Sequence, residues 1–168
     1  MQHLHAYWRM EYIEAPKYPE GNNPFTALPK LDDATAFIVH RSQYCYLVLN
    51  RFPYNAGHLL AVPFRAVTDL PDLTAAERVD LMELTILGEK MLRAALNPDG
   101  FNIGYNLGAA AGSSIPHLHA HIVPRWAGDT NFMPVIGRTR VLPTSLEVMY
   151  QRLRAATAGL AAKTEDPR

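Results

Sequence analysis

Apolar and polar residues change their spacing several times along this chain, and each change marks an element. Phe, Ile, Val, Tyr and Leu crowd into two short runs, Ala34–His40 and Tyr44–Asn50, on either side of the polar joint Arg41–Gln43. That is the pattern of a β-hairpin. Pro53, Asn55 and Gly57 then predict a turn, followed by a third strand over His58–Pro63. From Thr74 the period lengthens, because Leu81, Leu84, Gly88, Leu92 and Ala95 recur at spacings of three and four and form one apolar stripe. A long helix is predicted over Thr74–Leu96. Thr74 and Glu77 supply a capping box at its start, and Asn97-Pro98-Asp99-Gly100 ends it with turn chemistry. Gly88 costs helix propensity, so its place in the stripe points to a close approach of another backbone.

Short periods return at Phe101–Leu107 and His117–Trp126, two further strands joined by the small-residue loop GAAAGSS. Strands with one long intervening helix predict an α+β fold, an antiparallel sheet with the helix packed on one face. Residues 1–33 carry aromatics and prolines without sustained periodicity and read as an N-terminal arm packed on the body. Residues 34–126 form the core domain. Residues 127–168 form a C-terminal extension with a helix from about Ser145 to Ala162.

Composition narrows the function classes. With 168 residues and 48% hydrophobic content, the chain is long enough for one domain with a real core. Basic and acidic residues both number 16, so there is no cationic excess to hold long nucleic acid. The single cysteine, Cys45, sits in an apolar run and reads as a buried thiol, which rules out an intramolecular disulfide or a multi-cysteine zinc site. No stretch approaches the ~18 continuous apolar residues of a membrane span, and the first residues lack a leader-like apolar region, so the expected setting is the cytoplasm.

The candidate chemistry lies in HLHAHIVPRW. In an extended strand His117, His119 and His121 would project to one side, and Leu118, Ala120 and Ile122 to the other. Three imidazoles on one side admit three readings. They could be ligands of a catalytic metal, although residues two apart on one strand need particular rotamers to converge on an ion. They could be a nucleophile system, since a neutral imidazole attacks phosphorus and most histidines are neutral near pH 7. They could be satisfied core histidines. The preceding loop, Asn106 to Ser114, offers backbone N–H groups and serine hydroxyls to an anion, although a tight connection also needs glycine. His58 and Asn50 flank the predicted turn, and His3, His5 and His40 read as surface or capping residues.

The motif HLHAHIV resembles the signature of the histidine triad family. The likeness extends over NLGAAAGSSIPHLHAHIVPRW and LNRFPYNAGHLLAVP, roughly Pro24 to Leu146. Within that family PFTALP, GFNIGYNLG and VPRWAGDTNF are most similar to the bacterial diadenosine polyphosphate phosphorylase branch. The resemblance implies a five-stranded antiparallel sheet of the histidine triad type and a homodimer or higher homo-oligomer formed through the long helix and sheet. It implies that His119 attacks the α-phosphate of a nucleotide and carries a nucleotidyl-histidine intermediate. The His117 carbonyl would orient the His119 ring, while His121 and His58 bind phosphate oxygens or aid the leaving group. Asn106, Gly112, Ser113 and Ser114 match the phosphate-contacting loop, Asn50 a ribose contact, and Val48 and Leu60, with Phe37 or Ile38, a nucleobase wall. The implied partners are a dinucleoside polyphosphate and inorganic phosphate or water, with no resident cofactor and with magnesium carried only on the substrate polyphosphate. Two departures stand out. Many relatives have a zinc-binding cysteine pair where this chain has NNPFTAL, and hydrolase branches often have glutamine where Ser113 stands.

Overall fold

A computed structural model describes residues 23–129 and 143–164. The first part of the predicted arm, including His3 and His5, and the stretch containing Pro134 and Gly137 lie outside the described residues. Five strands, β1 (Ile38–Arg41), β2 (Cys45–Leu49), β3 (Leu59–Pro63), β4 (Gly100–Tyr105) and β5 (Ala120–Arg125), form one sheet in the order β1-β2-β3-β5-β4. Every pairing is antiparallel.

Strand side chains alternate between two faces, and each face has its own core. Leu47, Leu49, Leu59, Ala61, Ala120 and Ile122 lie under helix α3 (Ala75–Leu96), against its Leu81, Leu84, Met91 and Leu92. Helix α4 (Leu146–Thr164) closes the same core with Met149, Tyr150 and Leu153. On the opposite face Ile38, Tyr46, Val48, Leu60 and Val62 pack with Phe25, from the one-turn helix α1 (Pro24–Ala27), and with Ala36. Burying each large apolar side chain stabilises the fold by about 1.5–3 kcal/mol, so both layers matter to the sheet between them.

Helix α3 begins where the sequence predicts. The Thr74 hydroxyl accepts from the Glu77 N–H, and the Glu77 carboxylate accepts from the Thr74 N–H. Glu77 also takes two hydrogen bonds from the Arg65 guanidinium, at 2.8 and 2.7 Å, and those bonds hold its pKa down to about 2. A Cβ at Gly88 would stand 2.8 Å from Ile122 Cδ1 and 3.3 Å from Leu47 Cδ2, so its absence lets the helix lie close on β2 and β5.

Two predicted strands are shorter than the apolar pattern implied. Asp33–Ala36 is a helical turn, α2, rather than the start of a strand, because Asp32 Oδ1 accepts from the Ala34 N–H at 2.8 Å and caps it. A local side-chain cap here outweighs the β-branched and aromatic character of the run. Phe37 ends the turn in the left-handed region, φ 58°, and β1 begins at Ile38. The histidine stretch joins the sheet only at Ala120. Ahead of it, the Leu118 N–H donates to the Val67 carbonyl at 2.7 Å, outside the strand ladder. No helix among the described residues is long and apolar enough to cross a membrane.

Candidate active site

The three triad histidines make different contacts along one side of the stretch. His119 and His121 lie together with ring centroids 4.8 Å apart, edge to face. The His117 ring lies against Phe25, 5.5 Å between centroids. Its Nε2 donates to the Pro63 carbonyl at 2.8 Å, and its Nδ1 accepts from the Asn23 amide at 2.9 Å. All three imidazoles nonetheless share the side of the stretch opposite the α3 core: His117 and His119 both pack on Phe25 and His121 meets His119, while Leu118, Ala120 and Ile122 lie in the core under α3. Among the described residues, no three His, Cys, Asp or Glu groups are gathered closely enough to hold a metal ion.

His119 has one nitrogen fixed. Its Nδ1–H donates to the His117 carbonyl at 2.7 Å, a bond that leaves the Nε2 lone pair available. Phe25 packs at 4.9 Å against the ring, which is 8% exposed. Burial lowers the His119 pKa below its ordinary value, partly opposed by the bond to the His117 carbonyl. A neutral imidazole with a directed lone pair is the chemical form of a nucleophile.

Next to it a chain of hydrogen bonds fixes two further tautomers. The Tyr54 backbone N–H donates to His58 Nδ1 at 3.1 Å. An N–H cannot accept, so the His58 ring proton resides on Nε2, which lies 3.0 Å from His121 Nδ1. His121 Nδ1 accepts that proton, and its own proton is on Nε2. Asn106 Nδ2 lies 3.4 Å from that nitrogen; because both bear protons, the Asn106 amide must present its oxygen there to accept the His121 Nε2 proton. Across the ladder His121 faces Gly104, where a Cβ would meet nothing within 4 Å. The result is a proton-bearing Nε2 on His121, opposite a glycine whose would-be Cβ meets nothing within 4 Å among the described residues.

The remaining predicted site residues are placed as follows. His58 is wholly buried and touches His121, so it acts on that ring and is not an open phosphate ligand. The Asn50 amide reaches His58 Nδ1 at 3.3 Å and accepts the Phe52 N–H at 2.9 Å. Gly108 and Gly112 bracket the predicted phosphate loop with φ of 80° and 94°, conformations that favour glycine. Inside it the Gly112 N–H donates to the Ala109 carbonyl, the Ser113 N–H to the Gly108 carbonyl, and Ser113 Oγ to the Ile115 carbonyl. Ser114 follows, half-buried. Ile38, Val48 and Leu60 are at most 4% exposed in the layer that includes Phe25, so they form a closed floor. Phe37 belongs to the other face. It meets Tyr150 edge-on at 6.1 Å and the Arg51 guanidinium at 5.9 Å, because its left-handed backbone turns it away from the Ile38 layer.

Three contributors escaped the sequence reading. Asn23 and Phe25 reach the triad from 94 and 92 residues away, a separation no spacing rule reveals. Tyr54, read only as part of a turn, sets its ring 4.9 Å from His58 and stacks on His121 at 5.8 Å. The loop bearing it is tied down by Asn55, which donates to the Asp129 carboxylate at 2.8 Å and the Pro124 carbonyl at 3.2 Å. Arg125 grips the same carboxylate through two bonds, at 2.6 and 2.7 Å, and holds its pKa far below the usual range.

Comparison with known proteins agrees with this geometry. A family model of the HIT domain matches residues 32–128. The chain is 44% identical over 154 residues to the AP-4-A phosphorylase of Mycobacterium tuberculosis, covering 87% of this chain and 79% of that one. It is 37% identical over 93 residues to the bis(5'-adenosyl)-triphosphatase of Saccharomyces cerevisiae, covering 55% of this chain and 45% of the yeast protein. Among solved structures, a zinc-bound histidine triad family protein from Mycobacterium smegmatis superposes with a TM-score of 0.69 at 27% identity, over 84% of this chain and 97% of that one. The chain belongs to the histidine triad family.

Proposed function

We propose that this chain is a nucleotidyl transferase acting on dinucleoside polyphosphates, and that its reaction is the phosphorolysis of diadenosine tetraphosphate to ADP and ATP. The observation that carries the reading is the 2.7 Å bond from His119 Nδ1 to the His117 carbonyl, which leaves Nε2 as a neutral nucleophile. The relatives named AP-4-A phosphorylase and bis(5'-adenosyl)-triphosphatase support the substrate class.

His119 Nε2 attacks the α-phosphorus, forming a P–N bond while the P–O bond to the leaving ATP breaks. An oxygen of inorganic phosphate then attacks the same phosphorus, the P–N bond breaks, and ADP leaves. Dividing one displacement into two in this way is the ordinary benefit of a covalent relay. His121 donates its Nε2 proton to a phosphoryl oxygen as charge develops there, and His58 keeps that proton on the correct nitrogen. The loop from Asn106 to Ser114 borders the phosphates. Magnesium enters only on the substrate polyphosphate. The open backbone edge of β4, with Ile103 45% exposed, supports a homodimer or higher homo-oligomer.

The test is to incubate the protein with diadenosine tetraphosphate, with and without inorganic phosphate, and to identify the nucleotides. ADP plus ATP formed only with phosphate is the expected result. AMP plus ATP without phosphate would make the protein a hydrolase. His119→Ala should abolish turnover while nucleotide binding survives, and full activity in that variant would overturn the nucleophile assignment.

A further inference from the structure

The segment ahead of the sheet enters the site through two side chains, Phe25 packing on the rings and Asn23 hydrogen-bonding to one of them. Asn23 Oδ1 accepts from the Phe25 N–H at 3.0 Å and so caps α1. With the oxygen committed there, the amide nitrogen is the atom that meets His117 Nδ1, at 2.9 Å. An amide nitrogen only donates, so His117 Nδ1 holds a lone pair and its ring proton sits on Nε2, bonded to the Pro63 carbonyl at 2.8 Å. The ring is 1% exposed and meets the Phe25 ring edge-on at 5.5 Å. His117 is thus clamped between the cap of α1 and the end of β3. Its own carbonyl is the group that receives His119 Nδ1–H at 2.7 Å.

We infer that Asn23 is a positioning residue for the nucleophilic step. Through His117 it holds the carbonyl that aims the His119 lone pair. This inference rests on the reading of His119 as the nucleophile. Groups that orient a reacting residue from one shell away typically change activity by about 10–100-fold when removed. Misplacement of the reacting atom by about 1 Å can cost on the order of 100-fold.

Two substitutions separate the cap from the clamp. Asn23→Ser keeps a good helix N-cap but has no nitrogen to give His117. Asn23→Asp also keeps the cap, yet sets an acceptor against Nδ1, so His117 gains a proton there while Nε2–H stays on Pro63. Both variants, with wild type, would be measured for kcat and KM on diadenosine tetraphosphate and by nitrogen NMR of the imidazoles. The expected result is a kcat lower by about 10–100-fold in each, KM within about twofold, and thermal midpoints close to wild type. The His117 Nδ1 signal should be that of a lone-pair nitrogen in wild type and of a protonated one in Asn23→Asp. Wild-type kcat in Asn23→Ser, or a protonated Nδ1 in wild type, overturns the inference. Should wild type turn over no dinucleotide, the functional reading fails by itself, and the His117 signals still decide for or against the Asn23 clamp.

Discussion

Gly57 couples the packing of the sheet to the site, and its replacement by alanine has a cost that can be worked out. Its φ of +80° lies in the left-handed region, where a residue with a Cβ loses about 1–2 kcal/mol. A Cβ there would stand 2.6 Å from Leu96 Cδ1 and 3.0 Å from Leu92 Cδ2, with Leu92 fully buried in the core under α3. Relieving such overpacking costs about 1–3 kcal/mol more. Gly57→Ala should therefore destabilise by about 2–5 kcal/mol, which for a chain of this size lowers Tm by roughly 4–20 °C. Gly128→Ala is the control, since Gly128 has the same φ of +80° and nothing within 4 Å of its would-be Cβ. It should show the backbone cost alone, about 1–2 kcal/mol. Urea titration of both variants measures the difference. Equal losses in the two would refute the claim that Gly57 is packed against the end of α3. The next residue is His58, so Gly57→Ala should also lower kcat, whereas Gly128→Ala should disturb it less.

Three other outcomes follow from the buried side chains. Burial lowers the pKa of His119, so the neutral nucleophile persists as the medium becomes acidic; kcat/KM should hold level down to about pH 6.5 and fall only below it. His117 and His119 are both buried with lowered pKa, so the unfolded chain takes up protons first, and stability fully present above about pH 6.5 is lost as the pH falls below that value and through their lowered folded pKa. A rate profile already declining above pH 7 would contradict this, as would stability that rises on acidification. In α4, Leu153 is fully buried, and Leu153→Ala should cost about 2–5 kcal/mol, seen as a lower urea midpoint at unchanged m. A loss under about 1 kcal/mol would show that α4 does not complete the core.

Much of this architecture could be read from residue patterns because it rests on local rules. The stripe Leu81, Leu84, Gly88, Leu92 set the face of α3, and the Thr74–Glu77 box set its start to the residue. β2 and β3 appeared within one residue of each end, since their apolar runs are bounded by turn residues. The α2 turn was hidden because one hydrogen bond from Asp32 decided it against the propensity of the run. His119 and its carbonyl partner were legible from the motif and the family likeness. The clamp on His117 was not, because it depends on Pro63 and Asn23, one from β3 and the other from ahead of the sheet. Phe37 was misplaced for a similar reason, since the face a side chain joins depends on a backbone angle that composition does not report.

In β5 Ala120 and Ile122 point into the core beneath α3 while His121 points to the opposite side, where His58 and His119 meet it. The spacing of this stretch is therefore part of its chemistry. Deleting or inserting one residue between His119 and Arg125 would carry an imidazole into the apolar layer and bring an isoleucine out to the side of His58 and His119. Substitutions on this strand can be graded by size and polarity, but a change in its length has no mild form. Descendants of this chain can vary the residues of β5 while preserving their number.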